Sequence, residues 1–454
     1  MFFHLAWQCA PSHAGDMPDQ PLPPLPPAPV QDLITTVLRQ RFGLSGLRGQ
    51  QPAVIARVMA GQDVLALLPT GAGKSLCYQL PCCLRPGLCV VVSPLLALMD
   101  DQCRRLQALG LRAMALRGRF GAAEQRSLDR SLQSAGLQVL LVSPERLLSA
   151  AFLERMIREV RAGRLHLLVV DEAHCISEWG NTFRPAYAKL GELRQHLPAV
   201  PVLALTASAD PVVERQILAA LQMDAHSVVR TSINRPELFY RVHRRVSPWR
   251  HALAYLQRWH TGDAVLFYCQ RRLETEWLAR HLVTVGIPAR PYHAGMGIIE
   301  RRAAEHWFLQ APAPVMVATI AFGMGIDRAD IRLVVHAAPS SSLSAYYQET
   351  GRAGRDGQVA TALQLLPPMH NPHWPDPDSP IMQYLHSGDC RRRSLMAGFG
   401  EPFAGACGHC DHCCPNWRPL PRWDGHDLAW VPQVGPVDGA TGGTRTRMPD
   451  GARF

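Results

Sequence analysis

The chain has 454 residues, with 47 Lys+Arg against 37 Asp+Glu and a formal charge of +10. A hydrophobic share of 47% beside 19% charged residues excludes a chain that is disordered throughout, and no run of about 18 apolar residues exists to span a membrane. The 13 cysteines do not suggest a secreted disulfide scaffold, since the opening MFFHLAWQCA, without a basic start or a small-residue cleavage site, reads as a poor secretory signal. The positive excess suits a polyanionic partner and equally an ordinary basic enzyme. Lys74 and Lys189 are the sole lysines, a bias that reflects a GC-rich genome more than any chemistry.

The length accommodates about two or three domains. Residues 1–30 contain PLPPLPPAP, a polyproline stretch that cannot build a core, and are expected to be a disordered tail. From residue 31 onward, short continuous apolar runs alternate with amphipathic patterns. Strands are expected at 64–68, 88–92, 139–142, 167–170 and 202–205, each apolar throughout, as strands buried on both faces of a parallel sheet should be. A second alternation begins near Pro236, with strands at 265–268, 315–318, 333–335 and 362–366. The class is α/β, with two tandem doubly wound parallel-sheet domains at 31–235 and 236–367. PPMHNPHWPDPDSP then reads as a linker, residues 380–414 as a small cysteine-bearing subdomain, and 415–454 as an unstructured tail.

The segment VLALLPTGAGKSLCYQL passes from an apolar strand through a glycine turn into a helix. Gly71 and Gly73 let backbone amides face an anion, Lys74 supplies a point charge to the β- and γ-phosphates, and Ser75 offers a hydroxyl to Mg²⁺. Thr70 belongs to the same loop. A chain that otherwise uses arginine keeps a lysine where a compact ammonium on a flexible stem suits phosphates best. About a hundred residues on, a buried strand ends in Asp171-Glu172-Ala173-His174. That places two carboxylates where such sheets bind ligands. Asp171 suits Mg²⁺, and Glu172 the orientation or deprotonation of an attacking water.

Cys390, Cys407, Cys410 and Cys413 follow a C-x16-C-x2-C-x2-C pattern. Four thiolates at these spacings suit a saturated, structural tetrahedral Zn²⁺. Cys414, His409 and His412 are alternative ligands, and free thiols are the plain alternative. The other cysteines, among them Cys77, Cys82, Cys83 and Cys89, read as core residues.

From about Phe42 to Cys413 the chain resembles the RecQ family of superfamily 2 DNA helicases. FGLSGLRGQQ is similar to the segment that precedes the phosphate loop, and implies that Arg48 and Gln51 contact adenine. VVVSPLLALMDDQ, with Ser93, resembles motif Ia, and LTASAD, with Thr206, resembles motif III. VATIAFGMGID, with Thr319, resembles motif V, and YYQETGRAGRDG resembles motif VI. In CISEWGNTFRPAY, Trp179, Phe183 and Arg184 stand at the positions of the family's aromatic-rich loop, and rings there would stack on unpaired bases at about 1–3 kcal/mol each.

The resemblance implies RecA-like domains, with a zinc-binding helical subdomain after them. It makes Arg355 a finger toward the γ-phosphate, with Arg352 its neighbour and Gln348 near nucleotide or water. It further implies ATP, Mg²⁺ and Zn²⁺ as cofactors and single-stranded and tailed duplex DNA as partners, with a single-stranded-DNA-binding protein as a further partner. A monomer associated with a bacterial nucleoid, acting 3′ to 5′ in repair or recombination, completes the expectation. The stretch 357–390 is proline-rich and shorter than in typical members of the family, which implies that one of their helices is missing, and residues 414–454 are too few for a winged-helix domain, so a short or truncated form is expected.

Overall fold

The computed structural model describes residues 28–94, 96–116, 121–134, 136–178, 185–207, 209–244, 251, 256, 262–323, 328–367 and 374–415. These form two compact units. One runs up to Asn234 and takes in Met396–Pro402; the other holds Arg235–Leu395 and the residues from Phe403. No helix among the described residues is long and apolar enough to cross a membrane.

The first unit contains a seven-stranded parallel sheet. Its strands are β1 (Val64–Leu67), β2 (Leu88–Val92), β3 (Ala113–Leu116), β4 (Val139–Val142), β5 (Leu165–Val170), β6 (Val202–Thr206) and β7 (Val228–Arg230), in the order β3-β4-β2-β5-β6-β1-β7. Alternate residues supply two separate cores. Leu65, Leu67, Val90 and Val92 join one cluster, whereas Val64, Ala66, Cys89 and Val91 join the other. With apolar side chains filling both faces, interior strands must be apolar at every position, which is why they stand out as continuous runs.

The second unit carries a six-stranded parallel sheet of β8 (Leu238–Arg244), β9 (Ala264–Tyr268), β10 (Ala289–Tyr292), β11 (Val315–Ala318), β12 (Ile331–His336) and β13 (Ala360–Leu366), in the order β10-β11-β9-β12-β13-β8. Val265, Phe267, Val315, Val317, Val335 and Leu363 share its main core.

The nine expected strands are the nine interior ones, and the four that the apolar-run criterion misses are the four sheet edges. β3 is largely half-buried, β7 is three residues long, β10 reads ARPY and β8 reads LFYRVHR. An edge strand has one open flank and tolerates polar residues and proline. One further expectation changes: the helix Ala28–Val37 begins inside the segment expected to be tail. The proline-rich 357–390 carries the helix Pro380–His386. Pro380 occupies its first turn, where no N–H is needed, and Ile381, Met382, Tyr384 and Leu385 are buried. The remainder of 1–30 and nearly all of 415–454 lie outside the described residues.

The helices Leu190–His196 and Pro211–Leu221 approach closely at Gly191, where an added Cβ would collide with the carbonyl of Ala220. Because backbone cannot yield as a flexible side chain does, Gly191→Ala is expected to destabilise the first unit by about 1–3 kcal/mol, read as a lower urea midpoint.

Candidate nucleotide and metal sites

The phosphate loop leaves β1 and enters the helix Leu76–Leu84. Gly71 and Gly73 have φ of 85° and 71°, left-handed values that admit glycine at little cost. Gln51 is buried, and its Nε2 donates to the Ala72 carbonyl at 2.8 Å and to that of Gly73 at 3.3 Å, while its Oε1 accepts from the Arg48 amide at 2.9 Å. A Cβ at Gly73 would lie 2.6 Å from that amide nitrogen. Gln51 is thus committed to the loop backbone, whereas the Arg48 side chain is exposed. Phe42, Leu44 and Leu47 pack on a small core containing Leu76 and Leu80, which ties the preceding segment to the phosphate helix. Thr70 and Lys74 are half-buried, and Ser75 and both glycines are exposed. The loop therefore leaves its glycines and Ser75 open to solvent, while Lys74 Nζ donates to the Leu68 carbonyl at 3.4 Å.

Asp171 and Glu172 follow β5, two strands from β1 in the sheet. The Asp171 amide donates to the Val92 carbonyl at 2.9 Å, Tyr187 Oη donates to the Asp171 carbonyl at 3.0 Å, and Asp171 Oδ1 accepts from the Glu172 amide at 3.1 Å. Burial and the charge of Glu172 push the Asp171 carboxyl up to about 7, against the pull of Lys74 and the Glu172 amide. A carboxyl held at such cost beside a phosphate loop suits a hydrated cation. Glu172 has φ 49°, a conformation that a non-glycine residue adopts at about 1–3 kcal/mol. His174 Nδ1 lies 3.0 Å from Thr206 Oγ1 and 3.5 Å from Glu172 Oε2. It joins the acid motif to the end of β6. The sequence alone assigns His174 no role, and the signal for one is a histidine in the turn that follows an apolar strand. Thr206 and Ser93 are buried at strand ends, so Thr206 acts on His174 within the protein. Trp179, Phe183 and Arg184 lie outside the described residues.

In the second unit, Gln348 lies on the helix Leu343–Thr350 and is half-buried. The turn after it carries Arg352, which is buried, and Arg355, which is half-buried. The Arg352 guanidinium lies near Gly323, where a Cβ would come within 2.9 Å of its Nη2. Glu349 Oε2 accepts from Ser340 Oγ at 2.6 Å and lies 2.9 Å from His336 Nε2. His336 in turn stacks on Tyr268 at 5.1 Å. A cavity of about 350 Å³ opens there, lined by Tyr268, Gln270, His336, Ser340, Glu349 and Trp374 among others. Thr319 is half-buried just beyond β11, its amide bonded to the Tyr292 carbonyl at 3.0 Å.

The sulfurs of Cys390, Cys407, Cys410 and Cys413 lie within 4.8 Å of one another. Backbone amides of Cys407, His409 and Cys413 donate to Cys390, Cys407 and Cys410 sulfurs at 3.4, 3.3 and 3.5 Å. Hydrogen bonds from Cys407 and Cys410 hold the Cys390 thiol far below its usual range, while the same contacts push Cys407 up to about 11 and Cys410 higher still. Four soft donors turned inward and supported by amides fit Zn²⁺. Cys414 points its thiol at the Gly408 carbonyl at 2.9 Å, and the His409 ring meets Phe239 edge-on at 5.2 Å, so neither belongs to the group. Asp411 anchors the knuckle: it accepts from the Val242 amide at 2.9 Å and from Arg391 Nε at 2.9 Å.

Residues 48–216 match the DEAD/DEAH box helicase family, 249–357 the helicase conserved C-terminal domain, and 379–414 the RecQ zinc-binding domain. The chain is 35% identical over 413 residues to the ATP-dependent DNA helicase RecQ of Pasteurella multocida (strain Pm70), covering 87% of this chain and 64% of that protein. It is 37% identical over 391 residues to the RecQ-like DNA helicase BLM of Xenopus laevis, covering 80% of this chain and 29% of that one. The chain therefore spans less than two thirds of the length of these curated relatives. The solved structure of the DUF1998 helicase MrfA bound to DNA has a similar fold, with a TM-score of 0.62 at 19% identity over 82% of this chain and 54% of that one. Two parallel-sheet units bearing these motifs in this order define a superfamily 2 helicase-type protein. With the zinc-binding segment after them, the chain belongs to the RecQ family.

Two outcomes follow from the geometry. Because the Asp171 carboxyl is raised from 3.8 to about 7, the stability that it contributes is fully present below its ordinary value and is lost as pH rises through about 7. Asp171→Asn should therefore raise the Tm of the nucleotide-free protein at pH 8 and leave it nearly unchanged at pH 3.5. At the cysteine group, elemental analysis should find about one zinc per chain, and Cys410→Ser should lose most of it.

Proposed function

We propose that this chain is an ATP-dependent DNA helicase that couples hydrolysis to 3′-to-5′ movement along single-stranded DNA. The observation that carries the reading is the phosphate loop and the acid motif at the C-terminal ends of strands in one sheet, with Lys74 acting on the Asp171 carboxyl and His174 joining Glu172 to Thr206. The relatives' names, ATP-dependent DNA helicase and RecQ-like DNA helicase, support the same substrates.

In this reading the amides of residues 70–75 and Lys74 hold the β- and γ-phosphates. Ser75 and Asp171 hold Mg²⁺, which neutralises phosphate charge when bound. Glu172 orients and deprotonates the attacking water. Arg355, with Arg352 and Gln348 beside it, stabilises charge on the transferring phosphoryl group, a role worth roughly 10³–10⁵ in rate. Gln51 shapes the loop, leaving the exposed Arg48 to face the base. Thr319, Trp179, Phe183 and Arg184 serve the DNA strand, Thr206 relays its presence through His174, and the buried Ser93 does not reach the strand. The working divisions are 31–235 and 236–367 for the motor and 380–414 for the metal module. Since such motors follow phosphates more than bases, binding is weakly sequence-specific and salt-sensitive.

The test is ATP hydrolysis with single-stranded DNA, duplex DNA or RNA, beside Lys74→Ala. Single-stranded DNA should stimulate the wild type strongly, and the variant should be inactive. Equal stimulation by RNA, or activity surviving in the variant, would overturn the reading. Strand displacement on a 3′-tailed duplex should follow hydrolysis; hydrolysis without displacement would reduce the protein to a translocase.

A further inference from the structure

Arg235 opens the second unit and is buried, 9% exposed as a residue. It pairs with Glu237 through Nε, and its two Nη atoms donate to the carbonyls of Gly351 at 3.3 Å, Ala353 at 3.0 Å and Gly354 at 3.5 Å. Those three carbonyls interleave with Arg352 and Arg355. Gly354, at φ 63°, leaves room for Glu237, whose Cγ would be 3.2 Å from an added Cβ. The turn that projects both motif VI arginines is thus held by one planar group that reaches several acceptors at once, which a lysine cannot do.

Arg235 is itself held from the metal module. Its carbonyl accepts from Arg392 Nη1 at 2.5 Å, and the Leu238 carbonyl accepts from Arg392 Nη2 at 2.8 Å. Arg392 is almost fully buried, lies over the Tyr240 ring at 5.6 Å, and stands two residues after the cluster cysteine Cys390. Between them Arg391 is bonded to Asp411, next to Cys410. Further along the same strand, Tyr240 bridges to Cys410, and the Asp411 amide donates to the Tyr240 carbonyl at 3.1 Å.

We infer that Arg235 is a positioning residue for Arg352 and Arg355, and that Arg392 couples the cysteine module to it, so that the metal site sets the placement of the finger turn. This rests on the proposed hydrolytic role of Arg355. Losing Arg235 leaves three carbonyls without their shared donor, and the turn relaxes. A misplacement of about 1 Å costs on the order of 10²-fold in the chemical step.

The experiment compares Arg235→Met, Arg235→Lys, Arg392→Met, Arg355→Ala and the Arg235→Met/Arg355→Ala double variant in single-stranded-DNA-stimulated hydrolysis. Amide exchange over 350–355 and zinc content are measured on the same preparations. Arg235→Met should lower kcat about 10²-fold with KM for ATP within about threefold. Arg235→Lys should fall between it and wild type. The double variant should lose far less than the product of the two single losses, because most of what Arg235 does through Arg355 is already gone and only its hold on Arg352 remains. Exchange over 350–355 should rise at least about tenfold in Arg235→Met and Arg392→Met while 264–268 stays protected, with zinc retained in Arg235→Met. Wild-type kcat in Arg235→Met, a multiplicative loss in the double variant, or unchanged exchange over 350–355 would each overturn the inference. If Arg235→Met does not fold, Arg235→Lys and Arg392→Met decide by the same readings. If wild type is not stimulated by DNA, or Arg355→Ala matches it, the hydrolytic reading fails instead, and the exchange arm alone decides whether Arg235 and Arg392 hold the turn.

Discussion

Interior strands of a parallel sheet covered on both faces leave polar chemistry no exit except at their ends, and this constraint arranges the rest of the protein. In the first unit, alternate residues of β1 and β2 feed two separate cores, so a functional side chain within these strands would be a buried, unpartnered group. The glycine loop after β1, Asp171 after β5 and Thr206 at the end of β6 accordingly fall along the same edge. The cost is concentrated there. Asp171 is held near the threshold of protonation and Glu172 in a left-handed conformation, and the Asp171 backbone is fixed by its amide donating to the Val92 carbonyl and its carbonyl accepting from Tyr187 Oη. Strain gathered where ligands bind, within an otherwise regular sheet, is how a stable scaffold keeps a reactive site.

The second unit solves a different problem with the chain's abundant arginines. Arg244 donates to the carbonyls of Leu385 and Ser387, Arg328 to those of Ala311 and Pro312, and Arg391 to Tyr384, while Arg235 and Arg392 do the same around motif VI and β8. These guanidiniums close turns and helix ends whose carbonyls would otherwise be buried without donors. The forked, permanently charged group suits this, whereas an ammonium does not. The arginine bias that looks compositional in the sequence therefore has a structural use, and the lysine at position 74 marks the site where a mobile point charge serves better.

Legibility followed burial. Interior strands carry an uninterrupted apolar signal because both faces are covered. The edges β3, β7, β8 and β10 lack it, and β10 even contains Pro291 on its half-open flank. Short motifs with a built-in mechanism were readable residue by residue: the glycines and Lys74, the paired carboxylates, and the four cysteines, which the fold gathers from positions 390 to 413. What the sequence could not reveal are partners fixed only by folding. Nothing local joins Arg235 to Gly351, Gln51 to Ala72, His174 to Thr206 or Asp411 to Val242, since each pair is separated by tens of residues or more and depends on strand order.

The role proposed for Arg355 is to act on the transferring phosphoryl group and not on nucleotide affinity. Single-turnover hydrolysis of saturating ATP by DNA-bound protein, with nucleotide Kd measured in parallel, tests it most directly. Arg355→Ala should bind ATP nearly as wild type does but slow the chemical step by roughly 10³-fold or more. A chemical step at the wild-type rate, or a loss that appears wholly in Kd, would contradict it.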